Sequence, residues 1–228
     1  MVRMETKIIY EDNHLLVVNK PAGELVQEDK SKDISVLEGY KSFLKSRDKK
    51  PGNAWLEAAH RLDRPVSGIL ILAKSSKILP RLNRLFQERK IKKTYLAVVE
   101  NKPKKLQAEL VHFLLKNRQK NITKAYASEK KESKKAILSY EYLGAGNHKH
   151  LLRVFPKTGR SHQIRAQLSA INCPIVGDLK YGSPKGRGNF IYLHARSLEF
   201  IHPVKNEKIY LQAEVPNQTN WNIFKEFI

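Results

Sequence analysis

Cysteine is almost missing, since Cys173 is the only one among 228 residues. This excludes an internal disulfide and any zinc site built from several thiolates, and it fits a reducing compartment. Set beside Pro174 in an apolar stretch, Cys173 reads as a buried, inert thiol. Long apolar runs are lacking too. None approaches the ~20 residues needed to cross a bilayer, and no apolar signal core follows the charged amino end, Met1 to Lys7. A cytoplasmic protein, with no membrane partner, is therefore expected. No cluster of His, Cys and acidic residues has metal-ligand spacing, and His148 with His150 reads as an accident of a hairpin turn, so no metal is expected. No internal repeat and no Pro- or Ser-rich linker divides the chain, so a single domain over 1–228 is expected.

Acidic residues are scarce relative to basic ones. Against 43 Lys and Arg stand 22 Asp and Glu, a formal net charge of +21. A field of that sign attracts polyanions through phosphate contacts and counterion release, so a nucleic acid is the first partner to expect. The rest of the composition, 41% hydrophobic and 29% charged, is that of a chain able to bury a core.

Patterning places the elements. Ile8 to Lys20 reads as strand, polar turn and buried strand, ended by Pro21 and Gly23. Asp33 to Ser46 carries Ile34, Val36, Leu37, Tyr40 and Leu44 at helical spacing, with Asp33 or Ser35 as cap. Leu56 to Leu62 and Gly68 to Ala73 suggest strands, Ser76 to Arg89 a helix, and Tyr95 to Val99 a strand. Lys116 to Lys135 is polar and basic, a surface loop or long hairpin that RNA could touch. Ile137 to Leu143 and Leu151 to Phe155 flank a turn at Gly144 to Asn147, and Ser161 is placed to cap a helix through Ile164, Leu168 and Ile171. Tyr192 to Phe200 and Ile209 to Val215 read as strands and Asn217 to Ile228 as a short closing helix. The order argues for an α+β fold with a mixed, largely antiparallel sheet and flanking helices.

Two clusters carry chemistry. In HRLDRPVSGILILA, His60 to Ala73, Asp63 stands in a tight turn before a buried run, where a lone Asp is commonly structural. In KTGRSHQIRAQLSAINCPIVGDLKYG, beginning at Lys157, Arg160, His162 and Arg165 surround the first turn of a helix, which suits an anion.

Together with IIYEDNHLLVVNKPAG (Ile8 to Gly23), KKTYLAVV (Lys92 to Val99) and YLHA (Tyr192 to Ala195), these segments resemble the RluA family of pseudouridine synthases over about residues 8 to 215. The resemblance implies an isomerase that turns uridine within ribosomal or transfer RNA into pseudouridine without a cofactor. It implies Asp63 as the catalytic carboxylate, Arg61 as a helper in moving the target nucleotide out of its helix, and Tyr95 as the ring that stacks on the base. It further implies Arg165 as the arginine that pairs with Asp63, and Leu193 as an apolar residue lining the pocket. Val66 stands where the family often has Thr, a change expected to alter local hydrogen bonding rather than chemistry. Since the first motif starts at Ile8, no separate amino-terminal RNA-binding module is expected, nor an obligate protein partner; the chain is expected to be a monomer. Two other classes compete. A noncatalytic RNA-binding or remodelling protein of the same fold is opposed by intact Asp63, Tyr95 and Arg165, and a glycosidic hydrolase by the want of a second prominent carboxylate.

Overall fold

A computed structural model describes residues 7–29, 33–49, 51–186 and 189–228, so most of the charged amino end lies outside the described residues. In chain order the elements are β1 (Lys7–Glu11), β2 (Leu15–Lys20), α1 (Val36–Arg47), β3 (Glu57–Ala58), β4 (Ser67–Ala73), α2 (Leu79–Gln87), β5 (Lys92–Val99) and β6 (Gln107–Asn117). They continue with β7 (Ile122–Tyr126), β8 (Lys134–Gly146), β9 (Lys149–Pro156), α3 (Gln163–Ala170), β10 (Leu193–Ile201), β11 (Lys208–Gln212) and α4 (Thr219–Asn222). By compactness the chain forms two units, Met1–Lys92 with Ala195–Val215, and Lys93–His194 with Pro216–Ile228.

In the first unit, β1 and β2 form a hairpin and β2 pairs antiparallel with β4 along its whole length, from Leu15 opposite Ala73 to Lys20 opposite Gly68. Every residue of β4 is buried, which explains its unbroken apolar run where a half-exposed strand would alternate. Its core joins Leu15, Val17, Ile69 and Ile71 to Ile78 and Leu82 around α2 and to Leu198 and Phe200 of β10. Ser35 caps α1 by accepting from the Glu38 N–H, so of the two expected caps Ser35 is the one used. The buried face of α1 is Val36, Leu37, Tyr40 and Leu44, while Ile34 precedes the helix and is exposed.

The second unit is a meander in which β5 pairs with β9, β9 with β8, β8 with β6 and β6 with β7, all antiparallel. Helix α3 packs on β6 and β7. Cys173 is buried here, and burial pushes its thiol above the ordinary range.

The α+β class with largely antiparallel strands stands. Of the two readings of Lys116 to Lys135, the hairpin is the one formed, since the end of β6 pairs antiparallel with β7 from Lys116 opposite Thr123. Three local expectations change. The strand expected over Leu56 to Leu62 shrinks to two residues, because the chain beyond Ala58 turns into the Asp63 loop. The closing helix is one turn of α4 followed by a short 3-10 turn at Lys225–Phe227. Finally, α3 is capped at His162, which sits in the left-handed region (φ 52°) with no side-chain cap, and Ser161 lies outside it.

Candidate active site

The turn bearing Asp63 is held from several sides within the first unit. Its backbone closes by a hydrogen bond from the Val66 N–H to the Asp63 carbonyl (3.0 Å), with Pro65 inside the turn and Val66 buried beneath it. The Arg64 carbonyl accepts from the Gly23 N–H (2.8 Å) and from Lys20 Nζ (3.2 Å). Arg64 in turn donates through Nε to the Gly23 carbonyl (2.9 Å) and pairs through Nη2 with Asp33 (2.6 Å). On the amino side His60 accepts from the Ile71 N–H at Nε2 (3.1 Å) and stacks near Phe86. Asp63 is half-buried and Arg61 exposed. A buried apolar strand thus delivers a partly open carboxylate on a loop tied down at both ends.

Lys20, in the motif NKPAG, received no role from the sequence, yet it is fully buried. Its ammonium donates to the carbonyls of Pro21 (2.7 Å), Glu24 (2.9 Å) and Arg64, one acceptor for each of its three hydrogens. Burial pushes its pKa down to about 7, while the charges of Glu24 and Asp63 pull it up. Lys20 therefore knits the Pro21–Glu24 loop to the residue that follows Asp63.

In the second unit Tyr95 is half-buried on β5, opposite Val154 of β9, and Leu193 opens β10 fully buried. Arg165 lies in the first turn of α3 and is 5% exposed. Its Nε and Nη2 donate to the two oxygens of Asp178 at 2.7 and 2.9 Å, a bidentate pair. The Tyr181 ring lies under the guanidinium, 4.8 Å from Arg165 Cζ, and the Tyr181 hydroxyl accepts from the Thr123 N–H (2.8 Å) and meets His162 Nδ1 (2.8 Å).

The expected anion-binding trio at the start of α3 is not one surface. Arg160 is exposed and donates to the Lys135 carbonyl, whereas Arg165 is buried and engaged by Asp178. The loop into α3 is instead organised by Gln163, whose amide accepts from Thr158 Oγ1 (2.7 Å) and the Arg160 N–H (3.0 Å) and donates to the Ile137 carbonyl (3.0 Å). Asp178 and Tyr181 went unassigned although both stand in the quoted GDLKYG segment. Among the described residues no three His, Cys, Asp or Glu side chains converge to hold a metal ion, and no helix is long and apolar enough to cross a membrane.

A family model described as RNA pseudouridylate synthase matches residues 14–170, about two thirds of the chain and including Asp63 and Arg165. The chain belongs to this family. Its motifs place it in the RluA branch. It is 34% identical over 219 residues to the ribosomal large subunit pseudouridine synthase C of Buchnera aphidicola, covering 91% of this chain and 66% of that protein. It is 30% identical over 249 residues to the tRNA pseudouridine synthase C of Vibrio parahaemolyticus, covering 100% of this chain and 97% of that one. The fold matches that of human RNA pseudouridylate synthase domain containing 4 (TM-score 0.77, 22% identity, 92% of this chain and 88% of that one).

Proposed function

We propose that this family member isomerises uridines in folded ribosomal or transfer RNA to pseudouridine, with Asp63 as the catalytic carboxylate. The observation that carries the reading is the family match over residues 14–170, which takes in a half-buried carboxylate on a loop pinned by Lys20, Gly23 and Arg64. In the reaction the N1–C1′ bond breaks, the uracil turns while held, and C5 bonds to C1′. C5 then gives up its proton and N1 gains one. Atoms and electrons balance within the nucleotide, so the chemistry calls for no cofactor. Asp63 attacks sugar or base, or steadies a cationic sugar, and Arg165 serves as its cationic counterpart.

The target base must first leave its stack, at a cost of a few kcal/mol. Arg61 assists this step, Tyr95 stacks on the extruded base and Leu193 lines its pocket. The enzyme works in the cytoplasm as a single catalytic domain and a monomer. Exchange of Asp63 for Asn tests the reading. Total RNA from cells lacking the protein should gain pseudouridine with the wild-type chain and none with Asp63→Asn, while RNA affinity falls by less than about tenfold, since few phosphate contacts are lost. Substantial turnover by the variant removes Asp63 from its role, and an inactive wild-type chain that still binds RNA favours a noncatalytic binder.

A further inference from the structure

We propose that Asp178 and Tyr181 are positioning residues that fix the Arg165 guanidinium by edge and by face, an inference that rests on the role given to Arg165 above. All three lie in the second unit. Asp178 is 1% exposed and takes one edge of the fork, Nε and Nη2, with both carboxylate oxygens. That geometry directs the remaining edge, Nη1 and the second Nη2 hydrogen, away from Asp178. The Tyr181 ring closes one face of the guanidinium at 4.8 Å, and its hydroxyl, held by the Thr123 N–H and His162, stops the ring from swinging away.

Asp178 is itself locked. Its N–H donates to the Ile175 carbonyl, its carbonyl accepts from Tyr181 and Ser183, and it follows Gly177, whose φ of +87° favours glycine. The GDLKYG segment therefore builds a rigid seat beneath one arginine of the neighbouring helix. Stability is a weak reason for such a seat, because apolar side chains of similar volume commonly replace a buried ion pair at no loss. Orientation is the stronger reason. A lysine could not use the seat, lacking the planar fork that Asp178 grips.

Single-turnover conversion of total RNA from cells lacking the protein, with the purified chain in excess, tests this alongside RNA affinity and its salt dependence. Asp178→Asn, nearly isosteric, should slow conversion by about 100-fold while affinity and salt slope stay within about threefold, a split that general loosening would not give. Tyr181→Leu should slow it by about tenfold, and Tyr181→Phe, which keeps the ring, by less. Conversion by Asp178→Asn within about threefold of wild type overturns the proposal, as does a loss matched by an equal loss of RNA affinity. If Asp178→Asn does not fold, the Tyr181 pair decides on the same terms. An inactive wild-type chain, or an Arg165→Met variant as active as wild type, would instead sink the underlying reading of the reaction. A dead Arg165→Met beside an unchanged Asp178→Asn sinks only the seat.

Discussion

A methyl group added at Gly68 would sit 2.3 Å from the carbonyl oxygen of Ala195 and 2.6 Å from its nitrogen, both backbone atoms of the first unit. The φ of +115° at Gly68 adds strain for any side chain. Gly68 stands where β4 leaves the Asp63 turn, paired with Lys20 across the β2–β4 ladder, so the two residues that anchor the turn share one register position. Gly68→Ala should lower unfolding free energy by about 3 kcal/mol or more, the sum of overpacking against fixed backbone and a positive φ. Urea denaturation checks this, and a change below about 1 kcal/mol would mean that β4 can retreat from β10. Val66, two residues before Gly68, is buried.

At the scale of elements, the turns between β1 and β2 and between β10 and β11 are clasped together by Asp12. Its carboxylate accepts from the N–H groups of His14 (2.7 Å) and Leu15 (2.8 Å), from the Tyr10 hydroxyl (2.8 Å), and pairs with Lys205 (2.9 Å). Burial pushes this carboxyl up, but Lys205 and the other donors outweigh it and hold the carboxyl well below the usual range. His202 is fully buried beside it and accepts at Nδ1 from Val204 (3.2 Å) and Lys205 (2.9 Å), so the neutral ring carries its proton on Nε2. Nε2 lies 3.2 Å from Asp12 Oδ2 without hydrogen-bond alignment. Burial pushes the His202 imidazole below its ordinary value, against the pull of Asp12. The unfolded chain therefore takes up this proton first as pH falls, and stability declines through the ordinary imidazole range near pH 6.5. Asp12 acts lower, its contribution being present above the ordinary carboxyl range and lost as pH falls through the folded-state value. Urea unfolding from pH 8 to pH 5 should show a smaller decline for His202→Gln than for wild type. Equal slopes would place the loss in other histidines.

Strands with strong patterning were legible in the sequence, as β2, β4, β9 and β10 were, because a buried run or a clean hairpin leaves few alternatives. Strand β6 was not, since it alternates only in a half-buried way and exposed Val111 breaks the expected polar face. The cap of α3 was misread because His162 adopts a left-handed backbone, a tertiary demand that propensity does not encode. The clusters around Asp63 and Arg165 were legible through motifs. The partners that hold them, Lys20 and Asp178, were not, since a buried charge is visible only once its acceptors are placed around it.

For the whole molecule, a net charge of +21 and the carboxylate at Asp63 should govern separate steps of one reaction. Charge acts at long range on encounter with RNA and is screened over a Debye length of about 10 Å at 0.1 M salt. A footprint of about 6 to 10 phosphates would weaken binding by roughly 10³ to 10⁵ between 50 and 200 mM salt. Interactions of a partly buried group such as the Asp63 carboxylate are screened far less. Raising salt across that range should therefore cut conversion steeply at low enzyme concentration yet leave the single-turnover rate at saturation within about threefold, because only the binding step releases counterions. Asp63→Asn should bind with the same salt slope as wild type while showing no conversion at any salt. A saturating rate that falls in step with affinity would mean that phosphate contacts are made or tightened in the transition state, and the basic surface would then belong to catalysis as well as to capture.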